Sequence, residues 1–525
     1  MTCPDMVPSP TEQKRRLRSP ALAALLSFLL VGGAIAAIPS IFLPFPDDSG
    51  NVQSATADPT LNASNKFFDP SVGTNGQACV TCHQPAQGFT IHVSVIDNTF
   101  ATSPTDPLFR PNDTANNPST TTNTADDYSI FLNLGAARIG KTLPSPSIAN
   151  FMVAAADANT NAKFAAPDHF PLTTDPQHPN VKTLSLFRRP LVNTNVHLDS
   201  AVLWDGRDSI TTIATSQVPK AIQSLLTTSN GGNCTGCPGT DLAVNQDIAN
   251  FMLGVFTDQV FDTAAGTDAN GNCTLPHPGI CGAGTNSAAR AMAGVANLLQ
   301  LALGPNVPCT NPLQNPCVPN VPGYDLFDAW ASLPQVGRNA GRASVVRGQQ
   351  LFNTAVLNVP TDLQGLLGTT AHCTSCHATR NIGNNPSPTF FARVGTDSLD
   401  IINELLSNTS LSSPTLADLA LYKQEVSQLP QYCLRPKSST STAPCGSGPG
   451  DVVTTDPGRA MVSGDIGDVG KFKPPILRGL AARSPYFHAG TAQNIQMLIH
   501  FYNARFQIGL TEDEVNDLGS FLEAQ

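Results

Sequence analysis

The stretch that most constrains this chain is Cys79-Val80-Thr81-Cys82-His83, which recurs as Cys373-Thr374-Ser375-Cys376-His377. Two cysteines three apart lie on one side of a helical turn, so both thiols can add across the two vinyl groups of one porphyrin. The adjacent histidine then faces the iron. This is the attachment pattern of c-type haem. With 13 Cys and 10 His in 525 residues, chance gives on the order of 0.006 such patterns per chain, so two are not accidental. The competing reading is a pair of disulfides or one zinc site. Zinc needs further ligands at metal spacing, whereas each pair here runs directly into a histidine. Two covalently bound haems are expected, one on Cys79, Cys82 and His83 and one on Cys373, Cys376 and His377.

A chain of 525 residues is too long for one core, and two domains with insertions is the natural division. Only 13% of residues are charged, while 44 Pro and 40 Gly point to many loops and short helices. The net charge of −10 argues against a nucleic-acid surface and leaves a basic protein partner open. Lys14-Arg15-Arg16-Leu17-Arg18 precedes an uncharged run over 19–46, with Ala34-Ile35-Ala36 as a small-residue cleavage site. That order is a secretory signal. The apolar run 21–38 is also nearly long enough to span a bilayer, so an uncleaved anchor is the rival reading. Either way the bulk of the chain is exported, to a periplasm or its equivalent.

Cysteine usage agrees with export. Beyond Cys3 and the four haem cysteines, eight remain as close neighbours: Cys234/Cys237, Cys273/Cys281, Cys309/Cys317 and Cys433/Cys445. Four disulfides in an oxidising compartment are expected. Cys237 is followed by Pro238, so that pair is not a third haem site, and a redox-active dithiol is its alternative role.

The chain divides into a signal or anchor (1–46), a first haem domain (47–336) and a second (337–525). Residues 47–65 read as a polar linker and 98–127 as a long loop. The stretch 208–335 reads as an insertion in which helical patterns such as 288–303 alternate with disulfide-bearing loops. Helical periodicity marks 343–352, 398–406, 415–429 and 494–503, the last presenting Ile495, Leu498, Ile499 and Tyr502 on one face. Residues 435–458 read as a disulfide-pinned loop. Strand signals are sparse, so the expected class is mainly α. Trp204, in Leu203-Trp204-Asp205-Gly206-Arg207, reads from its ring alone as a core aromatic.

Several blocks in fixed order carry a family resemblance: Phe67-Phe68-Asp69-Pro70, Gly88-Phe89-Thr90, Trp204 to Arg207, Gly348 to Phe352, Asp456-Pro457-Gly458-Arg459, Leu477-Arg478 and Pro485 to Gly490. With the two haem stretches, they make the chain resemble the bacterial di-haem cytochrome c peroxidases, a family that includes the MauG-type enzymes. The resemblance implies two cytochrome c-like domains, the first haem reacting with H2O2 and the second taking electrons from outside. It places Trp204 between the haems as a relay. It also implies a calcium ion between the domains, held by backbone carbonyls including that of Pro485, with the family's Asn ligand falling near Arg188.

Counted from Pro485, Tyr502 stands where the peroxidases carry an axial Met and MauG-type enzymes a Tyr. A thioether favours ferrous iron and a phenolate favours oxidised iron. Met461, Met497, His488 and His500 are the alternatives. The family's acid/base Glu has no counterpart in 213–224, where Gln217 could take the family's Gln role. Its absence removes a contribution of roughly 10²- to 10⁴-fold. His92 is the nearest candidate for a distal histidine, with a surface role as the competing reading. The implied partners are H2O2 and a small cytochrome c or cupredoxin, or a substrate side chain if the chemistry is MauG-like, and a homodimer is allowed. A di-haem electron carrier without turnover fits the haem motifs equally well.

Overall fold

Each helix that carries a cysteine pair starts on its own hydroxyl. In the computed structural model, Thr81 Oγ1 accepts the Ala78 N–H at 3.0 Å and Ser375 Oγ accepts the His372 N–H at 3.0 Å, capping helices Cys79–Cys82 and Cys373–Cys376. His83 and His377 close the turns by donating to the Cys79 and Cys373 carbonyls, each at 3.0 Å. The structure describes residues 40–525 except 57, 73–75, 112, 118–119, 158–172, 176–177, 197–198, 200, 210–241, 264–322, 379–381, 385–390 and 445.

Around the first helix the core is aromatic. Phe67 stacks on Phe251 at 4.9 Å between centroids, and Phe68 and Phe89 meet the same ring at 5.2 and 5.7 Å. Phe251 lies on helix Leu242–Gly254, so this part of the stretch read as an insertion completes the first core. The helix leads into strand Val255–Asp262, which pairs antiparallel with Gly50–Thr56. The segment read as a polar linker is therefore a central strand. Its polar side chains are buried because they find partners, as in Ser54 Oγ to Thr257 Oγ1 at 2.6 Å. Helix Val93–Thr102 takes the start of the expected 98–127 loop.

The second core is built on two crossing helices, Ala340–Thr354 and Glu512–Glu523. Gly348 permits the crossing, since a Cβ there would lie 2.0 Å from the Asp517 carbonyl oxygen. Arg347 and Asp517 add an ion pair at 2.6 Å. Thr511 and Glu514 form a capping box on the C-terminal helix. Tyr324, Phe327 and Trp330 pack into this core from before residue 337, with Arg342 lying 5.6 Å over the Trp330 ring. The periodic stretches become helices Leu399–Leu406, Ser413–Val426 and Ile495–Arg505, begun on Ser398, Ser412 and Asn494.

Among the described residues, helices alternate with five small antiparallel sheets of two or three strands, more strand than the sequence patterning suggested. One sheet ties the halves together: Phe151–Asp157 pairs with Gln431–Pro436, which also pairs with Val452–Thr454. Two strands thus fall in the 435–458 region read as loop. Cys433 is disulfide-bonded, and its expected partner Cys445 lies outside the described residues, as do Cys234, Cys237, Cys273, Cys281, Cys309, Cys317 and the 288–303 pattern. Among the described residues no helix is long and apolar enough to cross a membrane, and the expected signal or anchor at 1–46 lies outside them as far as residue 39.

Candidate functional site

Both imidazoles that follow the cysteine pairs are fixed through one nitrogen. His83 Nδ1–H donates to the Phe89 carbonyl at 3.0 Å, and His377 Nδ1–H to that of Gly383. Each ring also has a second backbone hydrogen-bond partner, Leu191 for His83 and Pro475 for His377; metal-ligating histidines commonly keep one nitrogen on a carbonyl while the other meets the metal. Burial pushes both imidazoles down to about 4, so they are neutral at physiological pH. Burial likewise pushes the four cysteine thiols up to about 12.

A cavity opens beside each histidine. The first, about 1530 Å3 with its open mouth counted, is lined by Cys79, Cys82 and His83; the second, about 1500 Å3, by Cys373, Cys376 and His377. The second is walled by Phe352, Phe472, Phe487 and Phe506, and the Phe352 ring lies 6.0 Å from that of His377. The first mixes Leu191, Val196, Val202 and Met252 with Gln77, Asp113, Arg138 and Asp199. A pair of thiols beside a buried, neutral imidazole on the wall of a cavity suits one c-type haem in each.

The two cavities share a wall that contains Trp204, Arg189, Lys473, Pro475 and Arg483. Trp204 is held there by its turn rather than by apolar packing alone. Its Nε1–H donates to the Arg189 carbonyl at 2.9 Å, and its own carbonyl accepts the Lys473 N–H at 3.0 Å. Next to it, the buried Asp205 carboxylate binds Arg188 at 2.7 Å and Arg207 at 3.0 Å, and Arg188 grips Asp456 through Nε at 2.6 Å and Nη2 at 2.9 Å. Burial opposes ionisation of Asp205, but Arg188 and Arg207 hold it below the usual carboxylate range. Arg459 donates to the carbonyls of Asp205 and Gly206 at 3.1 and 2.9 Å. The Trp204–Arg207 and Asp456–Arg459 blocks are thus two sides of one mount.

Tyr502 lines the second cavity near Cys373 and Cys376, with Phe506 stacked at 5.9 Å; burial, then the neighbouring cysteines, raise its phenol above the usual range. His488 lines the same cavity, stacked 4.1 Å from Phe472, with Nδ1 3.2 Å from Thr396 Oγ1. Three of the alternatives to Tyr502 lie elsewhere. Met461 packs with Leu184, Leu186 and Tyr432, Met497 sits in the second core, and His500 is taken by Asp418 at 2.7 Å and Glu512 at 3.3 Å. His92 caps a helix and turns Nε2 to Ser484 Oγ at 2.6 Å, outside the lining of the first cavity. Gln217 lies outside the described residues.

Pro485 lines the second cavity, but its surroundings do not fit the calcium ion expected there. The Arg189 guanidinium donates to the carbonyls of Arg483 and Ser484, both at 3.3 Å, and so holds oxygens that a divalent ion would need. Among the described residues, no group of three or more His, Cys, Asp or Glu is placed to hold a metal.

Two carboxylates of the first cavity escaped sequence reading. Asp199 pairs with Lys473 at 2.9 Å across the shared wall. Asp113 lies near Cys82, and burial raises its carboxyl to about 7 against the pull of Arg138, Gln77 and Arg110. Both come from irregular segments, where no spacing rule marks them.

No protein-family model matches the chain. The cytochrome-c peroxidase IdrP1 of Denitromonas iodatirespirans is 38% identical over 68 residues, covering 11% of this chain and 18% of that protein. The match thus spans less than a fifth of that curated relative's length.

Proposed function

We propose that this chain is an exported di-haem c-type oxidoreductase that reduces H2O2 with electrons from a small cytochrome c or cupredoxin. The observation that carries this reading is the pair of cavities, each lined by a cysteine pair and a neutral imidazole, that meet at Trp204. When bound, the haems supply peroxide binding and one-electron transfers. His83 and His377 would each ligate one iron, and Tyr502 would serve as a further ligand at the second. The indole of Trp204 carries electrons between the cavities. The Asp113 carboxyl, near-balanced between its forms at neutral pH, gives and takes the proton that the missing Glu would have handled. The overall change consumes two electrons and two protons and turns one H2O2 into two waters.

The test is to add H2O2 to purified protein and follow optical and EPR spectra with and without reduced cytochrome c. Rapid cytochrome c oxidation is the expected result. Absence of high-spin haem together with no reaction overturns the enzymatic reading in favour of a plain electron carrier. The phenol of Tyr502 in the second cavity favours one other reading, a MauG-like oxidase of a protein or small substrate. A long-lived oxidised state formed by peroxide alone, with no cytochrome c turnover, is its signature.

A further inference from the structure

Arg189 is a buried cation that, among the described residues, pairs with no carboxylate. A guanidinium taken from water needs its N–H groups satisfied, and here backbone oxygens alone satisfy them. Nη1 donates to the Gly135 carbonyl at 3.1 Å, and Nη2 to Ile91 at 2.5 Å and to Arg483 and Ser484 at 3.3 Å each. These oxygens come from three loops, two in the first half and one in the second.

The cage is shaped around the side chain. A Cβ at Gly135, whose φ is +59°, would lie 1.9 Å from Nη1, and one at Gly490 would lie 3.0 Å from Arg189 Cδ. The Arg189 backbone serves the same junction: its N–H donates to His488 at 2.6 Å and its carbonyl accepts the Trp204 indole N–H at 2.9 Å. Convergent neutral carbonyl oxygens around one positive charge are the surroundings a hard divalent ion seeks. Burial, together with nearby Arg483, pushes the guanidinium down to about 9, which still leaves it charged at neutral pH.

We propose that the Arg189 guanidinium takes the place of a divalent cation at the junction of the two halves. It ties the Ile91 and Gly135 loops to the Arg483–Ser484 loop and fixes the carbonyl that orients Trp204. Arg189 is thus a positioning residue. The junction forms without metal and is indifferent to chelators, in contrast to the calcium that the family resemblance implies.

The test uses the full-length holoprotein, and neither readout needs peroxide turnover, so it stands or falls apart from the peroxidase reading. Calcium content after dialysis is expected to be far below one per chain. Melting temperature and haem spectra are expected to be the same in EGTA and in millimolar Ca2+. One tightly held calcium per chain, or an EGTA-induced change in either property, overturns the proposal. Arg189→Asn empties the cage of its charge and is expected to lower the melting temperature, with part of the loss restored by Ca2+. Arg189→Lys keeps a resident cation and is expected to stay indifferent to Ca2+. A folded Arg189→Asn protein that Ca2+ leaves unchanged overturns the equivalence, and if that variant does not fold, the native measurements decide alone.

Discussion

The two cavities share their cysteine–histidine motif and one wall, and differ in the rest of their lining. On the first side a buried-range carboxyl, Asp113, stands with Arg138, Arg207 and the Asp199–Lys473 pair. On the second, aromatic rings crowd a phenol and an imidazole. Polar groups that gain or lose protons suit bond-breaking at an oxygen, whereas an apolar wall with a hard oxygen donor suits holding charge. The same motif is thus set in two different linings, and the proposed division of roles rests on that difference.

That inequality can be broken from either side. Asp113→Asn should have the largest effect, lowering peroxide turnover by about 10²- to 10⁴-fold, with haem content and the second haem's spectrum unchanged. Unaltered turnover would remove Asp113 from proton transfer and erase the main polar distinction between the cavities. Next is the mount between them. Arg188→Met leaves the Asp205 and Asp456 carboxylates buried without their shared cation, a loss of about 3–5 kcal/mol. Chemical denaturation measures it, and a loss within error means the mount is held from elsewhere.

Tyr502→Phe should alter only the second haem's spectrum and potential, while changing stability by less than about 1.5 kcal/mol. A spectrum identical to the native one eliminates Tyr502 as a ligand and turns attention to His488. The smallest expected effect is in pH. Burial raises Asp113 and Glu523 to about 7, Glu523 with help from Asp262, Asp48 and Asp47. The folded state then holds these protons more tightly than the unfolded chain. Their stabilisation is complete below about pH 4 and is lost as pH rises through about 7. Melting temperatures from pH 4 to 8 should fall across that window, and Asp113→Asn with Glu523→Gln should flatten the slope. A slope that persists assigns it to other groups.

How far the sequence could be read depended on how local the chemistry was. Cysteine spacing within one turn, hydroxyl caps at Thr81 and Ser375, and the face shared by Ile495, Leu498, Ile499 and Tyr502 are all set within a few residues. The helices at 343–352, 398–406 and 494–503 were legible for the same reason. Strand Gly50–Thr56 was not, because its partner lies about 200 residues away and its buried polar atoms are satisfied only there. The helix Leu242–Gly254 fell in the stretch read as an insertion, because Phe251 meets Phe67 and Phe89 only in the folded chain.

By itself, the sequence determined two Cys-x-x-Cys-His stretches, each with one histidine, and the order of basic and apolar residues from which export is expected. Those facts follow from covalent reach and short-range periodicity. Only the tertiary structure decided what lines each cavity, that Trp204 stands in a wall common to both, and that a guanidinium fills the carbonyl cage beside Pro485. Such properties belong to sets of residues hundreds of positions apart. Charge pairing, burial and carbonyl convergence depend on distance in space, which spacing along the chain does not encode.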